Sequence, residues 1–252
     1  MFKNTGSLIY QDYQSLLKKN KIIAKNFLDI QIQPSSVDLT LSEECYEIKY
    51  SFLSPKNSVR KNLHAITTKK INLNKKYTFK KNKTFIIKLN ESLDLPNNIF
   101  GMCNPKSSTG RLDIFCRTIM DYSDEYEKIP ANYKGEMFIE ITSRSFDIEL
   151  EKGDSLNQMR LIYNKHLYVS DQDLKKFHNK NFLTLNNYNK KIIPNLLNGL
   201  KISVDLCNDN EIKAYVAKSN APKLNFKKIK FYNSKDYWKS IKTKNQKIII
   251  EK

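Results

Sequence analysis

The sequence predicts a mainly β fold, an all-β sandwich or barrel with a short helix ahead of it, and three observations predict it. Apolar residues fall in short or alternating runs from Ser36 to Tyr163. Polar turn signals separate those runs, the pattern of many short strands. Helical spacing of apolar positions is confined to a stretch near the N-terminus.

That stretch, Leu8 to Lys19, reads as a short amphipathic helix. Strands are then expected at Ser36 to Leu41, Tyr46 to Phe52, Tyr77 to Phe79, Thr84 to Leu89, Ile99 to Cys103, Ile114 to Met120, Glu136 to Thr142, Phe146 to Leu150 and Gln158 to Tyr163. Between them stand Ser54-Pro55, Leu95-Pro96-Asn97-Asn98, Asn104-Pro105, Lys134-Gly135 and Lys152-Gly153-Asp154, the residue types that break strands and make turns.

The chain has 252 residues, enough for one large domain or one domain and part of another, and 40% of them are hydrophobic, enough for a core. No early apolar run resembles a signal peptide and no stretch of about 18 apolar residues could span a bilayer, so a cytoplasmic protein without a membrane partner is expected. Cys45, Cys103, Cys116 and Cys207 lack CxxC spacing, which favours buried reduced thiols over a zinc site or a disulfide framework. The net charge of +18 invites a nucleic-acid reading. The excess is nearly all Lys, spread among abundant Asn and Ile along the whole length as an AT-rich coding bias would spread it, and no nucleic-acid-binding motif accompanies it. A solvated lysine surface is the expectation, with no nucleic-acid partner.

An internal echo suggests the domain division. Ser36-Val37-Asp38-Leu39 recurs as Ser203-Val204-Asp205-Leu206, and each copy leads through a Lys-rich stretch to an apolar run, Thr84 to Ile87 and Gln246 to Ile250. The division read from it is a complete β domain over 1–165, a connecting segment over 166–194, and over 195–252 a partial second domain that stops before its counterpart of the later motifs. A few strands bury too little surface to offset their ordering entropy, so 200–252 should be poorly self-sufficient.

The unusual chemistry is concentrated between positions 101 and 163. Only five arginines occur, Arg60, Arg111, Arg117, Arg144 and Arg160, and four of them lie between 111 and 160. Lys106-Ser107-Ser108-Thr109-Gly110-Arg111 packs two cations, three hydroxyls and a glycine just past a strand and an Asn-Pro turn. Such a segment can grip a polyphosphate, the Arg fork taking two oxygens where a Lys supplies a point charge, or it can be a solvated turn. It is not a Walker P-loop, which needs GxxxxGK[ST]. Glu140 stands between Phe138, Ile139 and Ile141 and shares a strand face with Phe138. It points to solvent, or inward, where desolvation would fit it for general acid and base work. Gln158 follows the Gly153-Asp154 turn and reads equally as a base or phosphate contact and as a strand-surface amide. His64, His166 and His178 sit in neither the H-x-E nor the P-C-x-x-C context of zinc deaminases.

Gln33 to Leu39, Lys106 to Leu112, Tyr133-Lys134-Gly135, Glu140 and Gly153 to Gln158 occur in the order and approximate spacing of a known group. The chain resembles the dCTP deaminase branch of the dUTPase-like superfamily, most of all its tandem-domain bacterial form, whose second half carries an element like Asp236-Tyr237-Trp238. The resemblance implies a distorted β-barrel or jelly-roll domain, which the echo extends with an incomplete second β domain. It implies hydrolysis of dCTP to dUTP and ammonia without a catalytic zinc, in supply of thymidylate synthesis, with Mg²⁺ accompanying the nucleotide. On that resemblance Glu140, Ser107 and Arg111 are the candidate catalytic residues. Glu140 would shuttle protons, and Lys106, Ser108, Thr109, Gly110, Asp121, Tyr133 and Gln158 would bind substrate. A homo-oligomer, trimeric or of paired domains, is implied too.

The chain departs from that pattern between Arg117 and Tyr133, where the segment is longer and more acidic than the compact base-reading turn of single-domain relatives. Asp121 within it could hold a water or the deoxyribose, or be a solvated loop residue. A dUTP pyrophosphatase, a bifunctional enzyme and a non-catalytic nucleotide-binding module are the competing functions. Glu140 argues against the first and Asp121 for it.

Overall fold

The computed structural model describes residues 5–164, 169–186, 190–202 and 212–242. The chain divides into two compact units, Met1–His166 with Val216–Lys239, and Leu167–Tyr215 with Ser240–Lys252.

In the first unit, α1 (Tyr10–Lys18) leads to β1 (Ser36–Leu39) and β2 (Leu41–Ile48), then α2 (Val59–Ile66), β3 (Thr67–Asn72), β4 (Tyr77–Phe79) and the long β5 (Thr84–Asp94). There follow β6 (Ile99–Pro105), α3 (Ser107–Arg111), β7 (Ile114–Met120), β8 (Lys128–Ile129), β9 (Lys134–Ser143), β10 (Ile148–Leu150) and β11 (Asn157–Tyr163). Most of these strands form two antiparallel sheets, ordered β8-β6-β11-β1 and β7-β9-β5-β2-β3, each with short two-residue additions, while β4 and β10 pair with each other outside them. Neither closes on itself into a barrel. The mainly β expectation holds, and the runs at Tyr77 to Phe79 and Ile114 to Met120 are strands with those same limits.

The main core lies between the two sheets. Val37, Cys103, Met159 and Leu161 face inward from one, and Cys45, Phe85, Ile87, Cys116, Ile139 and Ile141 from the other. Cys45, Cys103 and Cys116 are free and buried, and Cys207 lies outside the described residues. Gly101 leaves no room for a side chain in this layer. A Cβ there would come 2.6 Å from the Arg160 carbonyl oxygen and 2.8 Å from Leu161 Cδ2 on β11.

The second sheet buries part of its outer face as well. Ile48, Val59, Leu63, Ile66, Ile86, Ile119 and Phe138 form a separate cluster beneath α2. Val59, Leu63 and Ile66 recur at helical spacing and are all buried. The Ser58 side chain accepts from Lys61 N–H at 3.4 Å as N-cap, and Asp121 Oδ1 accepts from Val59 N–H at 2.7 Å, so two orphan donors of the first turn are satisfied. Arg60 then ties the helix to the sheet, reaching Glu44 on β2 at 2.6 and 3.0 Å and Glu136 on β9 at 2.5 and 3.0 Å.

A later segment returns to this unit. β12 (Leu224–Asn225) pairs in parallel with β10, which pairs antiparallel with β4. Tyr237, closing the short α4 (Ser234–Tyr237), and Trp238 meet Phe146 edge-to-face at 5.3 and 5.1 Å. Lys223 and Lys227 pair with Glu149 and Glu151 at 2.6 and 2.5 Å.

In the second unit, a helix at Asp171–Asn181 starts at Ser170, whose hydroxyl accepts from Asp173 N–H at 3.2 Å. Asp171 accepts from the Asn198 and Gly199 amides at 3.1 and 2.8 Å. The echo at Ser203 to Leu206 and the run Gln246 to Ile250 lie outside the described residues, as does His166. No helix among the described residues is long and apolar enough to cross a membrane.

Candidate active site

β9 makes the site by having no solvent face along its middle. Ile139 and Ile141 enter the main core, while Phe138, Glu140 and Thr142 face the other way, beside Phe115, Arg117 and Ile119 of β7 and Thr84 and Ile86 of β5. The α2 cluster covers Phe138, and Glu140 on the same face is only 1% exposed. Glu140 is thus buried, but on the face of its sheet that points away from the main core.

A buried carboxylate requires compensation, since desolvating an unpaired charge costs far more than one interaction returns. Arg117, directly opposite in the β7–β9 register, supplies it through Nε to Glu140 Oε1 at 2.9 Å. Among the described residues Oε2 is buried without a hydrogen-bond partner. Glu91, equally buried, makes the contrast: it accepts from Thr40 N–H at 3.0 Å, Thr40 Oγ1 at 2.7 Å and Gln31 Nε2 at 2.8 Å. One glutamate is a structural strut with its oxygens engaged, and the other keeps an oxygen in reserve.

Glu140 lies in a cleft of about 650 Å³ whose walls include Gly110, Asp113, Arg117, Thr142 and Arg144. That volume is within the range of small-molecule sites. Asp113, at φ 55°, accepts from Ser145 Oγ at 2.6 Å. Among the described residues no three His, Cys, Asp or Glu side chains are grouped to hold a metal ion.

The hexapeptide is a short helix, α3, rather than a turn. Thr109 is buried and donates its hydroxyl to the Leu156 carbonyl at 2.8 Å, anchoring α3 to the approach of β11. Gly110 is exposed in the cleft wall, and Ser107, Ser108 and Arg111 are exposed on α3. Lys106 is engaged in an ion pair with Asp38 of β1. Gln158, opposite Asp38 in the β11–β1 register, accepts from Ser36 Oγ at 3.3 Å.

Asp121 and Tyr133 lie at the other end of β9. The Asp121 carboxylate caps α2, and burial raises its pKa above the ordinary aspartate value. Tyr133 donates its hydroxyl to the Glu136 carbonyl at 2.5 Å and accepts from Asp121 N–H at 3.2 Å, and burial pushes its pKa up. Neither lines the cleft that holds Glu140.

Sequence reasoning missed Arg117 and Tyr126. The acidic segment after β7 folds back so that the Tyr126 ring covers Arg117, with the guanidinium carbon 3.6 Å from its centroid, while Phe115 lies 5.1 Å away. The Tyr126 hydroxyl donates to the Phe52 carbonyl at 3.1 Å. Glu127, at φ 65°, then accepts from Asn104 and Asn157 side-chain amides at 3.2 Å each. The scarcity of arginine, with Arg117 two residues past an aromatic on a predicted strand, was the available signal.

Residues 4–165 match the family model of the 2′-deoxycytidine 5′-triphosphate deaminase N-terminal domain, and residues 170–252 match that of its C-terminal domain. Among solved structures, the chain is similar to 2′-deoxycytidine 5′-triphosphate deaminase from Agrobacterium tumefaciens, with 30% identity and a TM-score of 0.87, covering 96% of this chain and 72% of that one. No curated protein matches the chain.

Proposed function

The chain belongs to the 2′-deoxycytidine 5′-triphosphate deaminase family, and from that premise we propose that it hydrolyses dCTP to dUTP and ammonia with Glu140 as the proton carrier. The observation that carries this reading is the buried Glu140 carboxylate, with one oxygen held by Arg117 and one without a partner, in a cleft that Gly110 of the hexapeptide also lines. Water would add across the C4–N3 bond of the cytosine as Glu140 takes one of its protons and delivers it to N3. The carboxylate would then take the remaining proton from the C4 hydroxyl and pass it to the amino nitrogen, which leaves as ammonia while the C4 oxygen becomes the uracil carbonyl. A carboxylate can serve both steps because it is regenerated between them.

Ser107, Ser108 and Arg111 are the proposed triphosphate contacts, and their exposure on α3 leaves them open to the nucleotide and to a neighbouring copy in the homo-oligomer that the family resemblance implies. Of the two carboxylates lining the cleft, Asp113 is held by Ser145, Glu140 Oε1 is held by Arg117, and Glu140 Oε2 is the oxygen assigned to the reacting water. Mg²⁺ would therefore be bound mainly by triphosphate oxygens and water, its usual manner with nucleotides. The dUTP formed would supply thymidylate synthesis. Asp121, capping α2 outside the cleft, is poorly placed to activate a water for triphosphate cleavage, which weighs against the pyrophosphatase reading.

The products decide. The full chain incubated with dCTP and Mg²⁺ is expected to release ammonia and dUTP in equal amounts. Pyrophosphate without ammonia would replace this reading with the pyrophosphatase, and tight dCTP binding with neither product would replace it with a binding module.

A further inference from the structure

Arg117 is held on three sides. Its Nε donates to Glu140 Oε1 at 2.9 Å, its guanidinium carbon lies 3.6 Å from the Tyr126 ring centroid, and the Phe115 ring lies 5.1 Å away on the same strand face. Tyr126 is itself fixed through its hydroxyl to the Phe52 carbonyl and packs against the cluster beneath α2. We propose that Arg117 is a positioning residue for the deamination, fixing the Glu140 carboxylate so that Oε1 is committed and Oε2 alone is left for the reacting water. The proposal rests on the reading of Glu140 as proton carrier and assigns the device that aims it.

The physics favours a guanidinium at this place. A planar cation packed on an aromatic face loses its freedom to rotate, and a carboxylate paired to it inherits that fixed orientation. An ammonium would supply charge without a plane. With the arginine side chain 25% exposed and the glutamate 1% exposed, the pair forms the floor of the cleft rather than a surface bridge. The Tyr126 cover also gives the long segment after β7 a role: it closes over the base of the site and holds the residue that orients the acid.

The test is steady-state deamination of dCTP by the full chain with Mg²⁺. Arg117→Ala is expected to lower kcat by about 10²-fold, the scale of a misplaced general acid or base, while KM stays within about threefold, since the loss falls on the chemical step rather than on binding. Millimolar guanidinium should restore part of the kcat of Arg117→Ala and none of the activity of Glu140→Gln. Arg117→Lys keeps the charge and guards against a folding failure of the alanine variant, and it should still fall about tenfold below wild type because it cannot stack. Tyr126→Leu, which loosens the arginine without touching Glu140, should lower kcat in the same direction. A kcat for Arg117→Lys and Tyr126→Leu within about twofold of wild type, or a loss confined to KM, would overturn the proposal. Absence of ammonia from the wild-type chain would instead overturn the reading of Glu140 on which it rests.

Discussion

Glu140 would be an ordinary strand carboxylate if β9 had a wet face, and what sets it apart is burial with a single cation, Arg117, on one of its oxygens. Its position among Phe138, Ile139 and Ile141 marked it in the sequence as a candidate, but whether it met solvent or was buried stayed open there, because strand alternation fixes only that it shares a face with Phe138. Its partner was not legible, because Arg117 meets it only through a β7–β9 register set 23 positions away. Lys106 taught the opposite lesson. A cation in a hydroxyl-rich string reads as a phosphate ligand, yet folding places Asp38 of β1 within its reach. Gly101 is the residue whose identity the backbone most plainly dictates, because a Cβ would strike the Arg160 carbonyl across the β6–β11 pair and that strand cannot yield independently. Gly101→Ala is expected to destabilise the protein by about 1–3 kcal/mol, the cost of overpacking a core layer. A melting temperature equal to wild type would show that β11 moves aside freely.

At the scale of elements, most strands were legible, while β3 was not foreseen, the run expected at Tyr46 to Phe52 belongs to β2 only as far as Ile48, and α2 was missed. Period-two runs and turn residues announced most of the two large sheets, whereas Ser58, Val59, Leu63 and Ile66 lay in a stretch of mixed polarity whose helical spacing was short. The helix is held by cap and clamp as much as by its apolar stripe. Arg60, its side chain 44% exposed, holds Glu136 down at about 2 against an ordinary value of 4.5, chiefly by hydrogen bonding. A depressed carboxylate pKa gives stabilisation that is complete above the ordinary value and is lost as pH falls through the folded one. The Arg60 clamp should therefore hold at pH 7 and release between about 4.5 and about 2. Hydrogen exchange of the Val59–Ile66 amides, relative to the β5 amides, is expected to rise on going from pH 7 to pH 3, and Glu136→Gln should remove most of that difference. Equal relative protection at both pH values would contradict the clamp.

At the scale of the whole molecule, two antiparallel sheets sandwich the main core, and the outer face of one carries the cleft. The sequence resemblance anticipated the family to which the models and the Agrobacterium tumefaciens structure attach the chain. What single-sequence reading could not supply is long-range closure. Residues 216–239 lie in the first unit, where Tyr237 and Trp238 meet Phe146 and β12 extends β10, and nothing local in Asp236-Tyr237-Trp238 announces that partner. The proposed deamination depends on one carboxylate inside that framework, Glu140. Its most direct test compares the full chain with Glu140→Gln, an isosteric change that keeps the side-chain volume, measuring dCTP binding and ammonia release on the same preparations. The predicted result is nucleotide affinity within about threefold of wild type with ammonia release lowered by at least about 10²-fold. Undiminished ammonia release from Glu140→Gln would contradict it.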